Sequence, residues 1–157
     1  MFRAILAATF ISLGIAAGAQ NLTPRDGWEV VPTPYDFATL VDRVGAAVDA
    51  APIAIVTQAS ASDGARGQGI EIPGNRVIGL FRNDYARRML AASIAAGIEA
   101  PIRLYVTENA DGTATLSYKT PTAVFAPYAD EGSTDLADLA TELDAVFAAV
   151  VAVASGS

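Results

Sequence analysis

The chain has 157 residues, enough for one domain with a hydrophobic core, and it contains 52% hydrophobic residues, no histidine and no cysteine. Without those two residue types it has no imidazole base, thiolate nucleophile or disulfide, which excludes Ser-His-Asp and Cys-His enzymes and removes the commonest zinc ligands. Its net charge of −7 repels phosphate groups, so neither nucleic acid nor an anionic membrane surface is expected as a partner.

The first 19 residues have the features of a secretory signal peptide. Arg3 precedes an uncharged stretch, residues 4–18, and Ala17 and Ala19 supply the small side chains of a cleavage site. The alternative is an uncleaved anchor, but the stretch is shorter than the roughly 20 apolar residues of a spanning helix. We expect cleavage after Ala19, no stable membrane anchor and a periplasmic or secreted location. The mature chain would carry nine basic and 17 acidic residues, a net charge of −8, and would begin with a flexible segment, residues 20–27.

A strand and a helix are predicted at the start of the domain, which spans residues 28–154. Residues 28–31 are apolar and β-branched and end at Pro32. Thr33 is predicted to cap a helix that has Pro34 in its first turn and Asp36 completing a capping box. Apolar residues then recur every three or four positions, which predicts one buried helix face ending near Pro52: Phe37, Leu40, Val41, Val44 and Val48.

The middle of the chain predicts two strands and a second helix. The strands are residues 53–56 and 76–81, and the Ser- and Gly-rich residues 60–74 between them are predicted to form a flexible loop. Within that loop, residues 70–72 could form an edge strand or pack down as a loop. The second helix is predicted to run from an N-cap at Asn83 or Asp84 through Ala100.

The last third of the chain predicts a hairpin and a final helix. Residues 102–107 and 113–118 alternate in polarity around a turn at residues 109–112. Ser133 or Thr134 is predicted to cap the final helix, whose buried face is formed by Leu136, Leu139, Leu143, Val146, Phe147 and Val150. Its last two turns carry no charge and are expected to be buried against the domain or another subunit. The order β-α-β-β-α-β-β-α predicts a single α+β domain with a mostly antiparallel sheet and helices packed on one face.

Four short motifs follow one another between Val77 and Thr122. They are residues 78–84 at the end of a strand, residues 99–102 at the entry to the hairpin, Asp111-Gly112 at its turn, and residues 118–121 after it. In order and spacing they resemble the domain of unknown function 302 family, and a weaker similarity reaches back to Trp28. The resemblance implies a curved antiparallel sheet and a homodimer, and it implies no reaction. The chain departs from the family pattern at Arg82 and Asp84, and it lacks the histidine that members often carry after the second strand.

Arg82, Arg87 and Arg88 form a cluster of cations at the start of the second helix. Free backbone N–H groups there favour an anion, and with Asn83 as a capping side chain the cluster could hold a carboxylate or a phosphate. The alternative is that the arginines are solvated or form ion pairs with Asp84 and other nearby acids.

Tyr105 and Tyr118 lie in the two strands of the hairpin and could line a pocket for an apolar or aromatic ligand, together with Phe81 and Tyr85. The alternative is ordinary cross-strand packing. Ser117 and Lys119 share a strand face but are interpreted as surface residues and not as a catalytic dyad. The acidic residues have no calcium-loop spacing, so no metal or cofactor is predicted.

Three hypotheses about function follow from these features. The first is a non-enzymatic homodimeric binding or interaction module, with a small organic anion as its ligand. The second is an enzyme with a pocket of Tyr, Arg and carboxylate groups near Tyr118. The third is a structural partner subunit that buries Phe147 and Val150 against another chain.

Overall fold

The structure is a computed structural model that describes residues 19–131 and 134–157. The strands are β1 (Trp28–Thr33), β2 (Ala54–Ala59), β3 (Asn75–Phe81), β4 (Ile102–Glu108) and β5 (Ala114–Lys119). The helices are α1 (Phe37–Asp49), α2 (Ala61–Arg66), α3 (Asn83–Ala92), α4 (Pro121–Phe125) and α5 (Thr134–Ser155), with 3-10 turns at Ala95–Glu99 and Ala126–Tyr128. Residues 1–18, which carry most of the predicted signal peptide, and the predicted cap Ser133 lie outside the described residues.

The five strands form one curved, open antiparallel sheet in the order β1-β5-β4-β3-β2. The predicted α+β fold is therefore confirmed. The hairpin β4–β5 lies at the centre of the sheet, and β1 is an edge strand that pairs with β5. The chain comes close to itself at Gly79 on β3, because a Cβ there would lie 2.7 Å from the Cγ of Pro101.

One face of the sheet carries the hydrophobic core. Leu104, Val106 and Leu116 are fully buried there against α1 and α5. Phe147 and Val150 of α5 are 0% and 1% exposed, so the predicted buried face of the last helix packs inside its own domain. That packing removes the signal on which the structural-subunit hypothesis depended. The opposite face carries the alternate residues of the same strands, among them Trp28, Tyr105 and Lys119.

The start of α1 differs from the prediction. Asp36 is the N-cap, because its Oδ1 accepts a hydrogen bond of 2.7 Å from the backbone N–H of Thr39. Thr33 belongs to β1, where its hydroxyl donates to the carbonyl of Ala114 at 2.8 Å. Pro32 does not end β1, since an edge strand has one side without ladder bonds and tolerates a proline.

Three further predictions about local structure are wrong. The predicted loop contains α2, which Ser60 caps by accepting from the N–H of Asp63 at 3.0 Å. Of the two alternatives for residues 70–72, the structure has the loop and not the edge strand. The predicted second helix is broken at Ser93, whose backbone is extended and whose hydroxyl caps the next turn by accepting from the N–H of Ala96 at 3.1 Å. Neither Asn83 nor Asp84 is the N-cap of α3, because Arg82 occupies that position without a side-chain capping bond.

Candidate functional site

The predicted cation cluster is held mainly by ion pairs within the chain. Arg82 Nε donates to Asp84 Oδ1 at 2.6 Å, and its Nη1 donates to the carbonyl of Pro52 at 3.2 Å. Arg88 forms a bidentate ion pair with Glu142, in which Nη1 donates to Oε2 at 2.7 Å and Nη2 donates to Oε1 at 2.8 Å. Arg87 is exposed and forms no ion pair with any residue in the described part of the chain, and Asn83 is also exposed.

The start of α3 already carries an acid of its own. Partial desolvation raises the pKa of Asp84, but the hydrogen bond and charge of Arg82 and the nearby backbone amides outweigh it, and the pKa is lowered. The hydrogen bond from Arg88 likewise lowers the pKa of Glu142. Both arginines also lie over the ring of Tyr85, with 4.7 and 5.9 Å from Cζ to the ring centroid. The ion-pair alternative describes these contacts, and binding of an external anion at α3 stays a prediction.

Tyr105 and Tyr118 lie on opposite faces of the sheet. Tyr118 pairs with Leu104 and is 4% exposed in the core, with its ring 5.5 Å from that of Phe147. Burial, and then the charges of Glu29 and Asp144, raise the pKa of Tyr118 to about 12. Tyr105 pairs with Ser117 and faces away from the core. The strands are neighbours as predicted, but the single aromatic pocket with Tyr85 does not form.

A groove lies on the face of the sheet that carries Tyr105. It has a volume of about 360 Å³. Alternate residues of four strands form its floor: Trp28, Val77, Arg103, Tyr105 and Lys119. The rest of the lining comes from Glu99, Ile102, Val124 and part of Tyr118. We name this feature the sheet groove.

The sheet groove is rich in cations although the chain as a whole is acidic. Lys119 Nζ lies 5.8 Å from the centroid of the Trp28 ring, and Arg25 Cζ lies 5.1 Å from the same ring. Arg103 is 60% exposed along its side chain. Glu99 is the one carboxylate among the described lining residues, and it is engaged, because its Oε1 accepts from the Tyr128 hydroxyl at 2.9 Å and its Oε2 lies 3.9 Å from Arg103 Nη2.

The groove offers no activated nucleophile. Ser117 is fully buried and its hydroxyl donates to the carbonyl of Tyr105 at 3.4 Å, so Ser117 and Lys119 do not form an open dyad. Within residues 19–131 and 134–157, no group of three acidic side chains is placed to hold a metal ion. The same residues contain no helix that is long and apolar enough to cross a membrane.

Sequence reasoning missed Arg25, which lies against the ring of Trp28, and it missed most of the groove lining, including Trp28 and Arg103. Arg25 and Trp28 precede or begin β1, which meets the hairpin only through the β1–β5 pairing. A signal was present, since Trp28, Tyr105 and Lys119 each occupy alternate positions of amphipathic strands. Nothing in their spacing fixes the register that brings them together.

The segment before β1 contacts the far end of the hairpin. Asn21 Oδ1 accepts from the N–H of Ala110 at 3.1 Å, and Ala19 and Gln20 line a recess beside Tyr105 and Thr107. The predicted mobility of residues 20–27 stays a prediction.

Comparisons with known proteins agree on one family. The family model "Domain of unknown function DUF302" matches residues 29–150. The fold is similar to the crystal structure of an uncharacterized conserved DUF302 protein from Bacillus stearothermophilus, with a TM-score of 0.69 and 16% identity over 80% of this chain and 96% of that one. No curated protein is detectably similar to the chain in sequence.

Proposed function

Since the chain belongs to the DUF302 family, for which no reaction is assigned, we propose that it is an exported, non-enzymatic, homodimeric binding module whose sheet groove holds a small organic anion. The observation that carries the ligand class is the composition of the groove. Trp28 and Tyr105 offer flat apolar surface, Arg103 and Lys119 offer positive charge, and Arg25 lies beside the groove against the Trp28 ring. An acidic chain that places two cations and two aromatic side chains in one groove, with a third cation beside it, favours a ligand with an apolar body and a carboxylate or phosphate.

The other parts of the proposal have separate support. Export is supported by the charge and hydropathy pattern of residues 1–19. A role without catalysis is supported by the absence of histidine and cysteine and by the buried hydroxyl of Ser117. The homodimer is supported by membership of the family, for which the resemblance implies a homodimer.

Trp28 is the one tryptophan of the chain, so its fluorescence reports directly on the groove. We expect benzoate and phenyl phosphate to change the Trp28 emission saturably. The neutral analogue benzamide should bind at least about tenfold more weakly than benzoate, because it lacks the charge. Arg103→Gln with Lys119→Gln should weaken benzoate binding by about tenfold, since each change removes a cation but keeps most of the stem.

The matched control is Arg66→Gln, which removes an exposed arginine that pairs with Asp63 away from the groove. It should bind benzoate as the unchanged protein does. Equal binding of benzoate and benzamide, or no response to any of the three compounds, would overturn the ligand proposal.

An enzyme is the second candidate, favoured by the convergence of Glu99, Tyr105 and part of Tyr118 on one groove. Tyr118 is poorly suited to proton transfer near neutral pH, because burial raises its pKa to about 12. Turnover of 4-nitrophenyl acetate or 4-nitrophenyl phosphate that is lost in Glu99→Gln would favour this candidate over the binding module.

A further inference from the structure

An apolar patch lies on the outer surface of α3 and the 3-10 turn that follows it. Ile94 and Ile98 are 83% and 80% exposed, and Leu90 is 46% exposed. Leu90 reaches the turn itself, because its Cδ2 lies 2.8 Å from where a Cβ on Gly97 would stand. We name Leu90, Ala91, Ile94, Ala95 and Ile98 the isoleucine patch. Contiguous apolar surface of this kind marks an interaction site on a soluble domain.

The two ends of the isoleucine patch carry opposite charges. Residues 89–98 contain no charged side chain. Arg87 lies one turn before Leu90, is exposed, and has no ion-pair partner within the described residues. Glu99 follows Ile98 directly and also lines the sheet groove.

We propose that a second copy of this chain packs its isoleucine patch antiparallel against this one, about a two-fold axis close to Ile94. In a two-fold contact the same patch serves both copies, so an apolar centre with a cation at one end and a carboxylate at the other is complementary to itself. The contact brings Arg87 of each copy to Glu99 of the other. It also lets two mature chains of net charge −8 meet without placing acid against acid. This inference rests on the homodimer in the proposed function and names its surface.

The contact has a consequence for the sheet groove. Glu99 is the carboxylate of the groove among the described residues, and it opposes an anionic ligand. Arg103 of the same copy lies 3.9 Å from that carboxylate, and Arg87 of the second copy adds a further positive charge beside it. Dimer formation and anion binding are therefore coupled, and each strengthens the other.

The first test measures the mass of the purified protein in solution against its concentration. Ile94→Asp with Ile98→Asp should raise the dimer dissociation constant by about 100-fold or more, because a buried apolar contact is replaced by like charges. The substitutions should leave the thermal unfolding midpoint of the monomer unchanged, since both side chains are exposed. The matched control Val153→Asp, at a side chain that is 62% exposed on α5, should dimerise as the unchanged chain does. The proposal is overturned by a doubly substituted protein that still dimerises normally.

The second test uses the absence of cysteine from the chain. Ile94→Cys should form a disulfide-linked dimer on mild oxidation, because the two copies of this position lie together at the axis. Val153→Cys should stay monomeric in the same gel. A cross-linked Val153→Cys dimer with no Ile94→Cys dimer would contradict the proposed surface.

Titration with benzoate separates this inference from the ligand proposal. The doubly substituted, monomeric protein should bind benzoate several-fold more weakly, because Glu99 keeps Arg103 but loses the second counter-charge from Arg87 of the other copy. Unchanged affinity after the dimer is lost overturns the contact between Arg87 and Glu99. If the unchanged protein is monomeric and binds benzoate, the dimer proposal is overturned and the ligand proposal stands. If it is dimeric and binds no anion, only the ligand proposal is overturned.

Discussion

The alternation of side chains along a strand determines whether Tyr105 and Tyr118 face the core or the groove. Tyr105 and Tyr118 lie in neighbouring strands, yet only Tyr118 faces the core and packs against Phe147. The sequence predicts the two strands and their alternation. It does not predict that Tyr118 pairs with Leu104 instead of Tyr105, because a shift of register by one residue exchanges the faces.

The raised pKa of Tyr118 predicts a loss of stability at alkaline pH. The folded protein holds this proton up to a pKa of about 12, whereas the unfolded chain releases it near 10.0. The stabilisation is therefore complete below pH 10 and is lost as the pH rises toward 12. We expect Tyr118→Phe to lose less stability than the unchanged protein over this interval in urea unfolding experiments.

Tyr105→Phe, on the groove face, is the control for that experiment and should follow the unchanged protein. Tyr128 also has a raised pKa, because it donates a hydrogen bond to Glu99, so part of the alkaline loss should persist in Tyr118→Phe. Identical alkaline curves for Tyr118→Phe and the unchanged protein would contradict the assignment.

The two longest helices are joined by one arginine. Arg43 of α1 donates from Nε to the carbonyl of Ala154 at 2.6 Å and from Nη2 to the carbonyl of Val153 at 3.0 Å. These carbonyls belong to the last turn of α5, whose backbone acceptors lack partners within the helix. The guanidinium also lies 4.2 Å from the centroid of the Tyr35 ring. Arg43 thus supplies the positive charge that the uncharged end of α5 lacks.

Removing that arginine should destabilise the fold. Arg43→Ala loses two charge-assisted hydrogen bonds in a partly exposed setting, so we expect the free energy of unfolding to fall by about 1–2 kcal/mol. Arg66→Ala, in an exposed pair with Asp63, should change it by less than about 0.5 kcal/mol. Chemical denaturation checks both variants, and an equal effect of the two would contradict the capping role.

Sequence periodicity predicted the long elements better than their ends. The stripe of α5 and the hairpin β4–β5 are confirmed because many residues repeat one pattern there. The sequence does not predict the end of α3 at Ser93, because the alanine-rich residues on both sides favour a helix. The helix ends where the hydroxyl of Ser93 contacts Glu131, a tertiary contact that the local sequence does not indicate. The pairing of Arg88 with Glu142 was missed because 54 positions separate the two residues.

Acidic side chains give the chain its net charge and also part of its stability. In the part of the chain that the structure describes, five carboxyl groups have a lowered pKa: Asp36, Asp63, Asp84, Asp111 and Glu142. In Asp36 and Asp111 hydrogen bonds from Thr39 and Thr113 are the main cause. In Asp63 and Asp84 the effect of neighbouring arginines outweighs desolvation.

A lowered folded-state pKa predicts a loss of stability in acid. The stabilisation is present above the unfolded values of 3.8 for aspartate and 4.5 for glutamate, and it is lost as the pH falls below them. We expect the urea concentration at the unfolding midpoint to stay constant between pH 7 and 5. At pH values under about 4 it should decrease. High salt should screen the contribution of the arginine pairs more than that of the capping hydrogen bonds. A midpoint at pH 3 equal to that at pH 7 would contradict this account.

The position of β1 at the edge of the sheet has a consequence for the time course of folding. Thr33 and Ala114 meet across 81 positions of the chain, while β4 and β5 are joined by a short turn. The hairpin can assemble by itself, but β1 must wait until a loop of that length has closed. During vectorial synthesis, the first strand to emerge is thus among the last to find its neighbour.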